Sequence, residues 1–204
     1  MILVGQYDSP FVRRVAVSMH HYRVPYERRV LSVYGDFDEM RGIHPLGKVP
    51  VLQLDDGELI YDSSLILDYL DERAGPEAAL VPANGPERRA VQRLVAIGLG
   101  LAEKSVEYRT ETFRRAADKQ EPELAARLAL QIEAALGWLE PRAEKTWLHG
   151  DRLTQADITA AVAVTNLLGK IPAFMPAGRY PNLEALTDRA EALDCFQAAP
   201  FSEN

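Results

Sequence analysis

The chain has 204 residues, of which 30 are acidic and 23 are Lys or Arg, giving a net charge of -7. Hydrophobic residues make up 47% and charged residues 26%, a balance that suits a folded globular chain and argues against a disordered or fibrous one. The acidic surface makes nucleic acid a poor partner, because phosphate binding needs clustered Lys and Arg. With one cysteine, Cys195, an internal disulfide is impossible.

In chain order, residues 2–6 are a short β-branched, apolar run, the pattern of a buried strand. Ser9 followed by Pro10 marks a helix start, since Ser is a favoured N-cap and Pro a favoured first helical residue. Phe11, Val12, Val15, Met19 and Tyr22 follow at helical spacing, and Pro25 ends the pattern. Residues 26–33 read as a second strand, 35–42 as a short helix or loop, and 48–54 as a third strand. Asp55-Asp56-Gly57-Glu58 is a hairpin turn, with Gly57 supplying the positive φ such turns need. Residues 59–61 are a fourth strand. Asp62-Ser63 opens a helix that Gly75-Pro76 stops. A tight hairpin late in this order predicts a mixed sheet with an early parallel crossover. Residues 77–86 form the linker between domain 1–76 and an all-helical domain, 87–204. Within the latter, helical patterns cover 87–116, 122–140, 154–168 and 182–193. The opening residues lack the pattern of a secretory leader, and no apolar run nears the roughly 20 residues of a membrane span, so the expected compartment is the cytoplasm.

Thr154-Gln155-Ala156-Asp157 is a capping box with an acidic third residue. Preceded by Gly150-Asp151-Arg152, it resembles the capping box of the buried helix in cytosolic glutathione S-transferases. Three further segments resemble the same family, in the same order. Ser9-Pro10-Phe11-Val12-Arg13-Arg14-Val15 resembles the active-site turn of its bacterial serine-type members. His44-Pro45-Leu46-Gly47-Lys48-Val49-Pro50-Val51-Leu52 resembles its Asn-Pro-x-Gly-x-Val-Pro stretch, with His44 standing where Asn is usual. Asp62-Ser63 resembles its acidic-Ser pair. The resemblance implies an N-terminal α/β thioredoxin-like domain, a C-terminal all-α domain, glutathione as co-substrate without a metal, a small electrophile as second substrate, and a homodimer.

The chemistry that the resemblance implies starts from a thiol with a pKa near 8.5, which must ionise to attack an electrophile. Lowering that value by about two units takes roughly 2.7 kcal/mol of preference for the thiolate. A hydrogen bond from the Ser9 hydroxyl, at roughly 1.5–3 kcal/mol, and the helix N-terminus, at roughly 0.3–1 kcal/mol, together supply it. Ser9 is also a helix cap, and the two roles are compatible: as a cap its oxygen accepts, and its proton stays available to sulfur. Tyr7, two residues earlier, is the rival, since other branches of the family use a Tyr at the end of the first strand. Neither Ser9 nor Val12 is Cys, so dithiol exchange through this turn is not available.

Val49-Pro50 resembles the family's cis-proline peptide, which presents the Val49 main chain to the cysteinyl backbone of glutathione. Asp62 suits the α-amino group of the γ-glutamyl moiety, and the Ser63 hydroxyl with the first N–H groups of its helix suits the carboxylate. Phe11 and Lys48 flank the same site. Arg13 and Arg14 read as structural or solvated. Tyr108, Arg109, Thr112 and Phe113 are spaced either to line a second-substrate cleft or to serve simply as core and surface. The competing readings are a non-catalytic interaction protein that kept the fold, and a glutathione-dependent isomerase or dehalogenase using the same thiolate.

Overall fold

A computed structural model describes residues 1–201. These divide into two compact units, Met1–Ala83 joined by residues 192–201, and Asn84–Glu191.

In the first unit the sheet order is β2-β1-β3-β4, with β1 Ile2–Val4, β2 Glu27–Arg29, β3 Val51–Gln53 and β4 Leu59–Ile60. β1 pairs with β2 in parallel and with β3 antiparallel, so the sheet is mixed. The hairpin between β3 and β4 turns at Gly57, whose φ is +93°, and is closed by Leu54 N–H to Glu58 O at 2.8 Å. All four strands are shorter than their sequence runs. β1 stops at Val4 because Gly5 leaves strand geometry at φ +132°. A side chain there has no room: an added Cβ would lie 2.5 Å from Val12 Cγ2 and 3.1 Å from Val49 Cβ. β2 is an edge strand paired on one side only, which leaves residues 30–33 without a ladder partner.

Helices α1 (Pro10–His21), α2 (Phe37–Ile43) and α3 (Ser63–Ala74) complete the thioredoxin-like α/β unit. Met40 and Ile43 of α2 pack on Val4, Val51 and Ile2, on one face of the sheet. By strand alternation Leu3 and its register partner Leu52 face the other side. The segment 35–42, ambiguous in sequence, resolves as α2.

The second unit is built from α4 (Gly85–Arg109), α5 (Pro122–Leu139), α6 (Gln155–Lys170) and α7 (Pro181–Glu191). Beyond α4, Thr110–Arg114 widens into a π turn, so the 87–116 pattern is not one continuous helix. Every residue from 155 to 164 is buried. Alanines at 156, 160, 161 and 163 let α4 come close, and a Cβ on Gly98 would sit 3.3 Å from Ala160 N. The capping box closes at the start of α6. Thr154 N–H and the Thr154 hydroxyl both donate to Asp157 Oδ2, at 2.7 and 2.8 Å, while Asp157 Oδ1 accepts from Leu148 N–H at 2.7 Å.

The sequence places 87–204 in one helical domain, but the described residues from Ala192 to Phe201 group with the first unit. A short helix, α8 (Asp194–Gln197), buries Phe196, and the fully buried Arg13 of α1 ties it down. The Arg13 guanidinium lies 5.6 Å from the Phe196 ring centre, and its Nε donates to Ala199 O at 2.8 Å.

Asp157 serves three donors at once, so Asp157→Ala leaves the Leu148 and Thr154 N–H groups unpaired in a buried site. The variant is expected to lose about 3 kcal/mol of stability, read as a lower urea midpoint at unchanged slope. A loss below about 1 kcal/mol would contradict this role for Asp157 at the start of α6.

Candidate functional site

Ser9 is the N-cap of α1, with φ -78° and ψ 121°, and Pro10 is the first helical residue. Among the described residues its Oγ accepts only a long bond from Val12 N–H, at 3.4 Å, and the residue is half-buried. Ser9 therefore stands where the positive end of the α1 dipole emerges. Phe11, in the same turn, is half-buried.

Gly5 joins this turn to the Val49-Pro50 segment. With no side chain of its own, it lets Val12 of α1 and Val49 approach from two sides. The Val49-Pro50 peptide is cis, with Pro50 buried, Val49 half-buried and Lys48 exposed. The turn before it is organised by His44, which is 5% exposed. Its Nδ1 accepts from Leu46 N–H at 3.0 Å, its carbonyl accepts from Gly47 N–H at 2.8 Å, and its ring lies 4.4 Å from that of Tyr61. Gly47 sits at φ +59°, and a Cβ there would come within 2.6 Å of Phe37 Cε2. His44 thus holds the turn by a side-chain acceptor, a task a short amide can also perform.

Asp62 caps α3, its Oδ1 accepting from Ser64 N–H at 2.7 Å, and the Tyr61-Asp62 peptide is also cis. Ser63 is 3% exposed and lies beside the buried Arg14 of α1. Arg14 donates to Ser63 Oγ from Nε at 3.2 Å and from Nη2 at 2.9 Å, and to Ser64 Oγ from Nη2 at 2.8 Å. With the Ser63 oxygen accepting, its hydroxyl proton is left to donate elsewhere. A guanidinium under the N-terminus of α3 adds a full positive charge to the partial charge of the helix end.

The Tyr7 hydroxyl shares a hydrogen bond with the Tyr26 hydroxyl, in which either oxygen can donate. It lies 2.6 Å from the Tyr26 hydroxyl, which lies 2.9 Å from Nε2 of His20, in the last turn of α1 and so at the opposite end of that helix from Ser9. The Arg28 guanidinium covers the Tyr7 ring at 3.6 Å from its centre.

The first unit therefore brings Ser9, Phe11, Lys48, Val49, Pro50, Asp62 and Ser63 onto three adjoining segments. Sequence reasoning leaves two participants unassigned to the site, Arg14 as the partner of Ser63 and Ser64 itself. The repeated serine after Asp62 is the available signal, but no local pattern reveals a partner some fifty residues away. In the helical unit Tyr108 packs edge-on against Phe174 at 5.0 Å, while Phe113 is 69% exposed. Among the described residues, no group of three or more His, Cys, Asp or Glu is placed to hold a metal ion. No helix of the described residues is long and apolar enough to cross a membrane.

An α/β thioredoxin-like unit of this topology, followed by helices with a capped buried α6, defines a class of two-unit proteins. The family model for the glutathione S-transferase N-terminal domain matches residues 3–78, and that for the C-terminal domain matches residues 100–194. The chain is 32% identical over 164 residues to the uncharacterized GST-like protein YibF of Escherichia coli, covering 80% of each chain. It is 35% identical over 105 residues, 49% of each chain, to a maleylacetoacetate isomerase of Pseudomonas aeruginosa. A glutathione S-transferase of Methylobacterium radiotolerans, solved with glutathione sulfonate, superposes with a TM-score of 0.91 at 27% identity, covering 100% of this chain and 96% of that one. A glutathione transferase family member of Pseudomonas fluorescens, solved with bound glutathione, gives 0.86 at 30% identity and 97% coverage of both. The chain belongs to the glutathione S-transferase family.

Burial lowers the pKa of His44 below its usual value, helped by the nearby Lys48 charge and opposed by Asp62. In the unfolded chain it titrates near 6.5. Between the folded value and 6.5 the unfolded chain binds more protons, so His44 makes stability fall as pH drops through that window and leaves it level above. His44→Asn removes the titration while keeping an acceptor for Leu46 N–H. Urea unfolding at pH 7.5 and 5.5 is expected to show a smaller loss in the variant than in the parent; an equal loss in both would contradict this placement of His44.

Proposed function

We propose that this chain binds glutathione and activates its thiol for attack on a small electrophile, with Ser9 as the thiolate partner. The observation that carries the reading is the state of the two candidate hydroxyls. Ser9 sits at a helix N-terminus where, among the described residues, its hydroxyl accepts one long bond and donates none. The Tyr7 hydroxyl is engaged with Tyr26 and the Tyr7 ring is covered by Arg28. Neither a general base nor a metal is needed: one charge-assisted hydrogen bond and a helix dipole supply roughly the 2.7 kcal/mol that a two-unit shift requires.

The rest of glutathione follows the segments that flank Ser9. The Val49 main chain, before the cis Pro50, pairs with the cysteinyl backbone in the manner of an added strand. The γ-glutamyl carboxylate meets the Ser63 hydroxyl and the N-terminus of α3, with the Arg14 charge directly beneath. The α-amino group meets Asp62, whose Oδ1 is used by Ser64 N–H. Phe11 and Lys48 border the tripeptide. The family's glutathione-bound structures support this reading. So does the retention of all three contact segments, which a protein reduced to a docking role has no need to keep. We assign the chain to the serine-type branch, acting as a homodimer in the cytoplasm.

A second reaction is favoured by one relative, the maleylacetoacetate isomerase that matches about half of each chain. Isomerisation uses the same thiolate and differs in releasing glutathione unchanged, so the identity of the product separates it from conjugation.

Ser9→Ala is expected to cut turnover with a chloronitrobenzene electrophile at least ~10-fold while leaving glutathione affinity nearly unchanged, since the hydrogen bond it removes is made to the thiolate. Unchanged turnover in Ser9→Ala, with a comparable drop in Tyr7→Phe, would transfer the role to Tyr7.

A further inference from the structure

A cleft of about 540 Å³ runs along β2, wholly within the first unit. Its chemistry is set by strand alternation. Arg29 of β2 pairs with Glu39 of α2 at 2.7 Å, on the α2 side of the sheet. Tyr26 and Arg28, one residue to either side of Glu27, alternate to the opposite side and open into the cleft. There the Arg28 guanidinium rests on the Tyr7 ring, and Arg23, from the turn after α1, opens into the same space.

Three features of the cleft bear on what it can bind. First, among the described residues, neither guanidinium, of Arg23 or of Arg28, has an ion-pair or hydrogen-bond partner, and no acidic side chain lines the cleft. In a chain of net charge -7 that is a local reversal of sign. Second, part of the wall is apolar: Val24 and Pro25 from the α1–β2 turn, and Ala198 and Pro200 from the C-terminal stretch. Third, the frame is pre-set. The Tyr7, Tyr26 and His20 side chains bond to one another at 2.6 and 2.9 Å, and stacking on Tyr7 limits the freedom of Arg28 before any ligand arrives. A stacked guanidinium keeps its planar N–H fork for a carboxylate, and a pre-set frame lowers the entropy lost on binding.

We propose that this cleft binds a small organic carboxylate with a flat, apolar body, its carboxylate held by Arg28 and Arg23 and its body against Pro25 and Pro200. The volume lies within the roughly 300–1,000 Å³ of ordinary small-ligand sites and suits one or two fused rings. A free inorganic anion leaves the apolar walls unused. Burial keeps His20 below its usual pKa and Tyr26 above its own. The charge facing the ligand at neutral pH is therefore that of the two guanidinia. The proposal is independent of the glutathione reading, because none of its anchoring residues belongs to the Ser9, Val49 and Ser63 segments.

The test is a titration of the full chain with 2-naphthoate, followed both by calorimetry and by naphthoate fluorescence. The doubly substituted chain Arg23→Gln, Arg28→Gln and the uncharged 2-naphthamide serve as comparisons. Both arginines are exposed, and circular dichroism checks that the variant folds. One site for naphthoate is expected, weakened at least roughly tenfold in the double variant and in the amide, as befits removal of a charge-assisted hydrogen bond. Glutathione affinity is expected to be the same in parent and variant. No binding of naphthoate by either method, or equal binding by the double variant, would overturn the proposal.

Discussion

The N-terminal unit depends on a buried charge between α1 and α3. Arg14 leaves the middle of α1, is 1% exposed, and ends on Ser63 and Ser64 at the start of α3. A guanidinium withdrawn from water persists only where its donors are met, so α1 and α3 are held at a fixed offset by the need to satisfy it. The consequence is functional as much as structural. Two helix N-termini, one carrying Ser9 and the other Ser63, are set on the same unit with a full positive charge behind the second. In the proposed pose the γ-glutamyl carboxylate and the incipient thiolate of the tripeptide are the two anionic groups that these helix ends would meet.

Packing supplies the other half of the constraint. Gly5 is where the end of β1, the first turn of α1 and the segment before Pro50 meet, with no space for a methyl group. The Ser9 turn and the Val49 main chain are therefore neighbours for a steric reason independent of any ligand. His44 works one layer out, using its ring nitrogen to pin the turn that leads into Lys48 and Val49. Its neutral form is the one that accepts from Leu46, which is the form burial favours.

What was legible in the sequence was local. Ser9-Pro10, the Asp56-Gly57 turn, Asp62-Ser63 and Thr154 with Asp157 each announce themselves within four residues, because capping and positive-φ chemistry is decided by near neighbours. The order of strands and helices followed from those marks, and with it the mixed sheet. Strand lengths were not legible, since the number of residues that pair depends on a partner strand distant in sequence. Nor was the return of the C-terminal stretch onto α1, which rests on Arg13 reaching Ala199 across 186 residues. The same limit applies at the site. Ser9 and Tyr7 both stand as candidates in sequence, and the long-range contacts of Tyr7, a bond shared with Tyr26 and the Arg28 guanidinium over its ring, distinguish their surroundings. Arg14 read as structural, which it is, but its partnership with Ser63 gives it a place beneath the proposed carboxylate site as well.

The measurement that bears most directly on thiol activation at Ser9 is the ionisation of glutathione on the protein, followed by the ultraviolet absorbance of the thiolate as pH is raised. An apparent thiol pKa about two units below the roughly 8.5 of the free thiol is expected, the shift that a Ser9 hydrogen bond and the α1 dipole together supply. A bound thiol that ionises at the free value, or a protein that takes up no glutathione at millimolar concentration, would contradict it.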